Sequence, residues 1–392
     1  MSQSASIPTH PLAAAALVRQ RLAMGQWPLQ PGDLPTGTVL VGGAVRDALL
    51  DRLGSHPDLD LVVPQGAIPL ARQLAKRRRG TAVVLDAERD MARLVLGPWS
   101  FDLAAREGPD LICDLQRRDY GINAMALPLA ADQPLQDPCA GLQDLQQGLL
   151  RAVSEANLLA DPLRLLRGPR LAAELRFQLQ PATAELIAQH HHQLPQVAPE
   201  RVLAELEKLA ACPAGEQGLQ QAVDLGLLTP WLEPLAGHET PLEASALSAA
   251  EASHAVPLAR LSRLLSANGL HQLHSSKRLQ QRCARLRHWA EVLEQAEPLN
   301  EATWLQLCRE LEDDMAALML LRPEATRGWL RRWRDPSDPL FHPRPPLDGR
   351  TLQQALGLPP GRALGQLLER LMLERAFGRA HDLAAAEALC RD

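Results

Sequence analysis

Asp58 and Asp60 stand two apart in Pro57-Asp58-Leu59-Asp60-Leu61-Val62-Val63, a stretch that reads as a β-strand. The period of two in a strand puts both carboxylates on one face and Leu59 and Leu61 on the other. Like charges held this close repel, and a cation between them removes the repulsion. Magnesium is the natural candidate, because it takes carboxylate oxygens and substrate phosphates, and can stabilise both the attacking and the leaving oxygen of an in-line displacement. Just upstream, Val39-Leu40-Val41 reads as a buried strand, Gly42-Gly43 as a tight turn, and residues 44–53 as a helix with apolar residues at helical spacing. The N–H groups at the start of that helix make an anion site, and Arg46 adds guanidinium donors in its first turn. Either half alone is a common surface feature. A phosphate-binding turn followed at short range by a metal-holding carboxylate pair is chemistry for nucleotides.

Three further sets of residues extend that chemistry. Asp102, in Trp99-Ser100-Phe101-Asp102-Leu103-Ala104, is the only charge on its strand and supplies a third carboxylate, which can orient or deprotonate an attacking hydroxyl. Arg118, Asp119 and Asn123 together offer a guanidinium, a carboxylate and an amide, a set suited to phosphate and ribose hydroxyls. Asp161 and Arg164 are three apart on a helix and so share a face. An aspartate accepts from an exocyclic amine while an arginine donates to the adjacent ring acceptors. Cytosine and adenine present that order, whereas uracil and guanine would leave polar groups unpaired. Asp161 before Pro162 also has the form of a helix N-cap followed by proline at the first helical position. The two roles are compatible, since capping uses one oxygen.

These residues need a scaffold, and the rest of the chain outlines one. With 392 residues it exceeds one ordinary core. Aromatic residues make up only 3%, while Leu and Ala dominate, so strands must be a minority. Residues 1–37 read as a leading helix over 11–24 ending in a Pro/Gly-rich stretch. Residues 38–149 read as an α/β head, with a helix over 68–78 and strands over 81–85, 91–96 and 100–104. Residues 150–212 read as a helical neck, and 213–392 as a helical body and tail with breaks at prolines such as Pro213, Pro241, Pro257 and Pro323. Leu203, Leu206 and Leu209 are read as core. No internal repeat supports a solenoid.

Charge and cysteine usage narrow the class. The six cysteines are dispersed without a C-x-x-C pair, which argues against a zinc site or a disulfide framework and fits a reducing cytoplasm. No signal sequence or membrane-spanning apolar run is evident. The net charge of −5 hides local basic surface. Residues 257–290 carry Arg260, Arg263, Lys277, Arg278, Arg282, Arg285 and Arg287 with no acid, and Arg327, Arg331, Arg332 and Arg334 alternate with Trp329 and Trp333. Of these, Lys277, Arg278, Arg282, Arg285, Arg331 and Arg332 are the candidate RNA contacts, weighed against a merely solvated helix face. His190-His191-His192 is a poor chelate, because consecutive side chains on a helix diverge. His381-Asp382 lacks companion histidines, which argues against a phosphohydrolase site.

Taken together, five motifs resemble the class II tRNA nucleotidyltransferases, the family that includes CCA-adding enzymes and bacterial poly(A) polymerases. They are Gly42-Gly43-x-Val45-Arg46-Asp47 with Asp58-x-Asp60, then Arg117-Arg118-Asp119-x-x-x-Asn123-Ala124, Asp137-Pro138-x-x-Gly141-x-x-Asp144-Leu145, Asp161-Pro162-Leu163-Arg164-Leu165-Leu166-Arg167 and Glu200-Arg201-x-x-x-Glu205. The resemblance covers residues 39–205. It implies a polymerase-β-like head with a small mixed sheet, followed by an all-α neck, body and tail. It also implies Mg2+ on Asp58 and Asp60, a hydroxyl-assisting role for Asp102, and triphosphate held by Gly42, Gly43 and Arg46. Asp161 and Arg164 would choose CTP or ATP, with Arg167 and Arg170 also at the nucleotide, and tRNA would be the acceptor. The sequence departs from the family pattern at Ala160, where an acid is usual, at Tyr120-Gly121, where Phe-Thr is usual, and at Gly168-Pro169. Pro169 would remove a helical hydrogen bond and kink the helix. Only residues 103–116 separate Asp102 from Arg117, little room for the flexible segment that CCA-adding members carry there. This resembles members that add only CC and leave the final A to a companion enzyme. A-adding, full CCA-adding and poly(A) activities stay open, and a non-catalytic RNA-binding protein is disfavoured because all three carboxylates persist.

Overall fold

The computed structural model describes residues 7–236, 240–295, 298–357, 359–380 and 384; His381 and Asp382 lie outside them. The chain forms two compact units, Met1–Ala198 with Gln217–Leu227, and Pro199–Glu216 with Leu228–Asp392. The division thus falls within the segment that the sequence suggests as a neck.

In the first unit, α1 (Pro11–Arg21) precedes β1 (Val39–Val41), α2 (Gly43–Leu49), β2 (Leu59–Val63) and α3 (Ala67–Arg78). Three consecutive strands follow, β3 (Thr81–Asp86), β4 (Met91–Leu96) and β5 (Trp99–Ala105), then α4 (Leu111–Leu115) and β6 (Ala126–Pro128). The six strands form one mixed sheet in the order β3-β4-β5-β2-β1-β6, with only β2 and β5 parallel. One face carries Leu40, Leu59, Leu61, Leu94, Phe101 and Leu103, all fully buried, and packs on α2 and α3. Val39, Val41, Val62 and Ala126 form a small apolar cluster with Leu115 on the other face. Alternation along β2 therefore sets Asp60 on the face away from those two helices.

The unit is completed by α5 (Gly141–Gln147), β7 (Leu149–Leu150), α6 (Glu155–Ala160), α7 (Leu163–Leu175), β8 (Gln178–Leu179) and α8 (Pro181–His190). Strands β6, β7 and β8 are too short to leave a periodic signal, and the sequence does not announce them. The predicted helices over 11–24 and 44–53 end earlier, at Arg21 and Leu49. Pro169 lies inside α7, which runs on to Leu175. His190 Nε2 meets Glu155 Oε1 at 2.6 Å, while His191 turns to the carbonyl of Ala188 and His192 to Gln193, so the three rings diverge.

The second unit is helical: α9 (Pro199–Ala211), the start of α10 (Gly215–Asp224), α11 (Ala249–Leu264), α12 (Ala267–Gln272), α13 (Lys277–Glu294), α14 (Glu301–Glu310), α15 (Met315–Leu321), α16 (Trp329–Trp333), α17 (Gly349–Leu356) and α18 (Arg362–Ala376). Leu206 and Leu209 of α9 are fully buried and Leu203 nearly so, as their spacing indicates. Pro257 does not break the chain but sits within α11. The carbonyl that loses its partner there belongs to exposed Ser253, where water can replace the missing N–H. No described helix is long and apolar enough to cross a membrane.

Candidate active site

Strand register lines the chemistry up in a single row. Val41 pairs with Asp60, Asp60 with Asp102, and Asp102 with Arg93, on β1, β2, β5 and β4 in turn. Directly paired residues point to the same face, so two carboxylates and a guanidinium stand side by side across the sheet. Arg93 grips Asp102 with two parallel hydrogen bonds, Nε donating to Oδ1 at 2.7 Å and Nη2 to Oδ2 at 2.8 Å. Asp60 has no such partner among the described residues. Burial, followed by the charges of Asp102 and Asp58, pushes its carboxyl up to about 6, against the opposing pull of Arg118 and Arg93. Asp58, just ahead of β2, is exposed.

The glycine turn ends on this row. Gly42 has φ 73° and ψ −138°, which only glycine adopts readily. A Cβ there would lie 3.1 Å from Asp60 Oδ2 and 3.6 Å from Arg118 Nη1. The bare Gly42 backbone therefore marks the point where the turn, Asp60 and Arg118 of the Arg-Arg-Asp segment meet. Arg118 is steadied by Asp114, at 3.4 Å from its Nη2.

Arg46 is placed otherwise than its sequence context suggests. It is 6% exposed, with Nε and Nη2 donating to the two oxygens of Asp47 and Nη1 donating to Asn123 Oδ1 at 2.7 Å. Asn123 Nδ2 donates in turn to Asp119 Oδ1, and Arg167 Nη2 lies 2.9 Å from Asp119 Oδ2. Asp119 and Asn123 are thus buried in a chain of pairs linking α2 to α7, and Arg118 alone of its set lies at Gly42. The inward turn of Arg46 follows from α2, whose Ala44, Val45, Ala48 and Leu49 are buried around it.

Asp161 and Arg164 come together at the junction of α6 and α7. Asp161 Oδ1 accepts from the Leu163 N–H at 3.3 Å, but Asp161 closes α6 and Pro162 stands at the N-cap of α7, one residue later than the sequence suggests. Arg164 Nη1 donates to the carbonyls of Arg117 and Asn157, each at 2.9 Å, and burial lowers the guanidinium's pKa. Arg170 pairs with Glu174 along α7. Three residues of this region escape a motif-based reading: Arg93, Tyr120 and Asn157. Arg93 was legible in principle, because a tight turn at Gly97-Pro98 pairs Leu96 with Trp99 and hence Arg93 with Asp102. Nothing local in the sequence marks Asn157.

In the second unit the basic stretch does not form one free surface. Arg282 chelates Asp314 at 2.6 Å, and Arg332 pairs with Asp338 at 2.7 Å while its guanidinium lies 5.1 Å from the centre of the Phe341 ring. Arg260, Arg263 and Arg287 hold backbone carbonyls. Lys277, Arg278, Arg285 and Arg331 are exposed.

Comparison with known proteins decides the family. Residues 102–151 match the poly A polymerase head domain, and residues 176–237 match the family described as "Probable RNA and SrmB- binding site of polymerase A". A CC-adding tRNA nucleotidyltransferase of Synechocystis sp. is 32% identical over 97% of this chain and 98% of its own length. The chain belongs to the tRNA nucleotidyltransferase family. A CC-adding tRNA nucleotidyltransferase of Thermus thermophilus is likewise 32% identical, over 90% of this chain and 93% of its own, and an A-adding tRNA nucleotidyltransferase of Deinococcus radiodurans is 41% identical over 51% of this chain and 46% of its own. The fold matches that of a Thermotoga maritima CCA-adding enzyme solved in complex with tRNA, with a TM-score of 0.73 at 19% identity over 97% of this chain and 94% of that one. This tRNA nucleotidyltransferase is accordingly an enzyme of tRNA 3′-end synthesis with a mixed-sheet head and helical remainder.

Proposed function

We propose that this enzyme transfers CMP from CTP to the 3′-hydroxyl of tRNA, releases pyrophosphate, and stops after two cytidines, leaving the last A to a companion A-adding enzyme in the same cytoplasm. The observation that carries the transferase chemistry is the meeting of Asp60, Arg118 and the backbone of Gly42 at one point. The observation that favours CC over CCA is the connection between Asp102 and Arg117. Residues 103–116 finish β5, form α4 and are pinned by the Arg106 N–H to Val63 O and the Glu107 N–H to Asp114 Oδ1. No slack segment of appreciable length remains there to act as a lever between two nucleotide-bound states.

The donor set fits magnesium. Asp58 and Asp60 are hard oxygen ligands, and the burial that raises the Asp60 carboxyl, with the added charges of Asp102 and Asp58, is a cost that a divalent cation offsets. Bound there, the ion would neutralise developing charge on the transferring phosphoryl group. The chain's own residues do the rest. Arg118 and the Gly42-Gly43 backbone hold triphosphate, with Arg46 tying that turn to Asn123 rather than facing substrate. Asp102, oriented by Arg93, accepts a hydrogen bond from the attacking hydroxyl. Asp161 and Arg164 read the Watson–Crick edge of the incoming base, with Arg167 and Arg170 behind them. The exposed Lys277, Arg278, Arg285 and Arg331 contact RNA phosphates. Replacing Asp58 or Asp102 by Ala should abolish tRNA extension while leaving tRNA binding intact. Unimpaired extension would contradict the assignment.

A further inference from the structure

Arg164 is fastened at both ends to the segment that follows α4. Its Nη1 donates to the carbonyls of Arg117 and Asn157. Its own backbone carbonyl accepts from Tyr120 Oη at 2.7 Å. Asn157 closes the frame, because its Nδ2 donates to the carbonyls of Gln116 and Arg118, both at 2.7 Å, while its carbonyl receives Arg164. One side-chain amide and one phenol thus stitch α6 and the first turn of α7 to residues 116–120.

Two oddities of α7 find their reason here. Tyr120 is the chain's only tyrosine and is fully buried. A Cβ at Gly168 would lie 2.6 Å from its Oη, so the hydroxyl occupies the space that a side chain at position 168 would take. Pro169, next in line, has no N–H to give the carbonyl of Leu165, which leaves the helix's own ladder weaker beside Arg164. A lateral hydrogen bond onto the Arg164 carbonyl supplies restraint at that place. Position 160, next to Asp161, is an alanine, so no carboxylate there shares in holding the guanidinium.

We propose that Tyr120 and Asn157 are positioning residues that fix the direction from which Arg164 addresses the base, and so set nucleotide choice without touching the nucleotide. The proposal rests on the base-reading role given to Arg164 above. A merely space-filling Tyr120 would be replaced by Phe without consequence, and a merely structural Asn157 would affect melting and not selection.

The test measures kcat and KM for CTP and UTP separately, on tRNA lacking its last three nucleotides, together with the melting temperature. The variants are R164A, Y120F, N157A and the double Y120F/G168A, in which a methyl group enters the space of the lost hydroxyl while the flexible end of Ile187, 2.9 Å from it, moves aside. R164A should collapse the preference for CTP over UTP. Y120F should lower it about fivefold and N157A about twenty-fivefold, the scale of one and two buried hydrogen bonds, with the loss in KM for CTP exceeding that in kcat. The double variant should recover melting temperature and keep the loss of selection. Y120F removes a single oxygen, so it keeps the test intact if N157A folds poorly. If R164A leaves the preference unchanged, the base-reading role fails and this proposal with it. If R164A collapses it while Y120F and N157A keep it, or if the double variant restores it, the positioning role alone is overturned.

Discussion

Asp60 is the residue on which the electrostatics of the site converge. Its carboxyl, pushed up to about 6 by burial and by Asp102 and Asp58, lies above its ordinary 3.8. Ionised Asp60 therefore costs the metal-free fold stability above that pH, and the cost fades as pH falls through about 6 towards 4. Asp60→Asn should raise stability at pH 8 in chelator by on the order of 1–3 kcal/mol, with roughly a third of that gain left at pH 4.5, as chemical denaturation at the two pH values would reveal. The same variant should lose activity by roughly a hundredfold or more, the scale of losing a preorganised charge at the transition state. At this scale the sequence was most informative about the strands themselves, since the period of two sets Asp60 opposite Leu59 and Leu61 and the β4–β5 hairpin sets Arg93 beside Asp102, whereas the meeting of Asp60 with Asp102 comes from the parallel pairing of β2 and β5. It said least about arginines. Arg46 carries the right charge in the right turn, yet its direction depends on Asp47 and Asn123, and the latter pair joins residues far apart in the chain.

Elements were legible where their periodicity was long and hidden where tertiary contacts replace local signals. Helix α3 and strands β3, β4 and β5 fall where alternation and helical spacing put them. Strands β6, β7 and β8 owe their state to neighbours rather than to pattern. The proline at Pro257 misled, since one missing hydrogen bond in a helix packed on other helices is outweighed by burial of its flanks. Side chains also finish helices in ways that no local rule foresees. Arg260 of α11 is 8% exposed and donates from Nη1 to the carbonyls of Ala210 and Cys212 at the end of α9, at 2.7 and 2.9 Å. Arg260→Ala should leave those carbonyls without a partner and destabilise the unit by about 2–4 kcal/mol. Denaturant unfolding would check this, and an unchanged midpoint would show that water replaces the guanidinium.

The whole molecule carries a net charge of −5 and yet must hold a polyanion, so its basic residues have to be sorted by what they already hold. Arg282 is tied to Asp314, whereas Arg278 and Arg285 on the same helix α13 are exposed. The double variant R278A/R285A should weaken tRNA binding and flatten its dependence on salt by about two units of slope, with no change in melting temperature. R282A should do the reverse, lowering the melting temperature with little effect on the salt slope. Filter binding over a range of salt concentrations and thermal melts separate the two. Charge patterning in the sequence locates this helix, but only the fold tells which arginines are tied up in close ion pairs and which are exposed. The family, the three carboxylates and the Asp161–Arg164 pair were all within reach of the sequence, and the product proposed here was signalled only by the short tether between Asp102 and Arg117. That product is the central claim. The direct measurement is incubation of the purified enzyme with tRNA lacking its final three, two or one nucleotides, with CTP and ATP together, followed by sequencing of the ends. Addition that restores both cytidines and stops, with no A joined to tRNA ending in CC, is the expected result. Efficient addition of A to that tRNA, or failure to add C to the shorter ones, would contradict it.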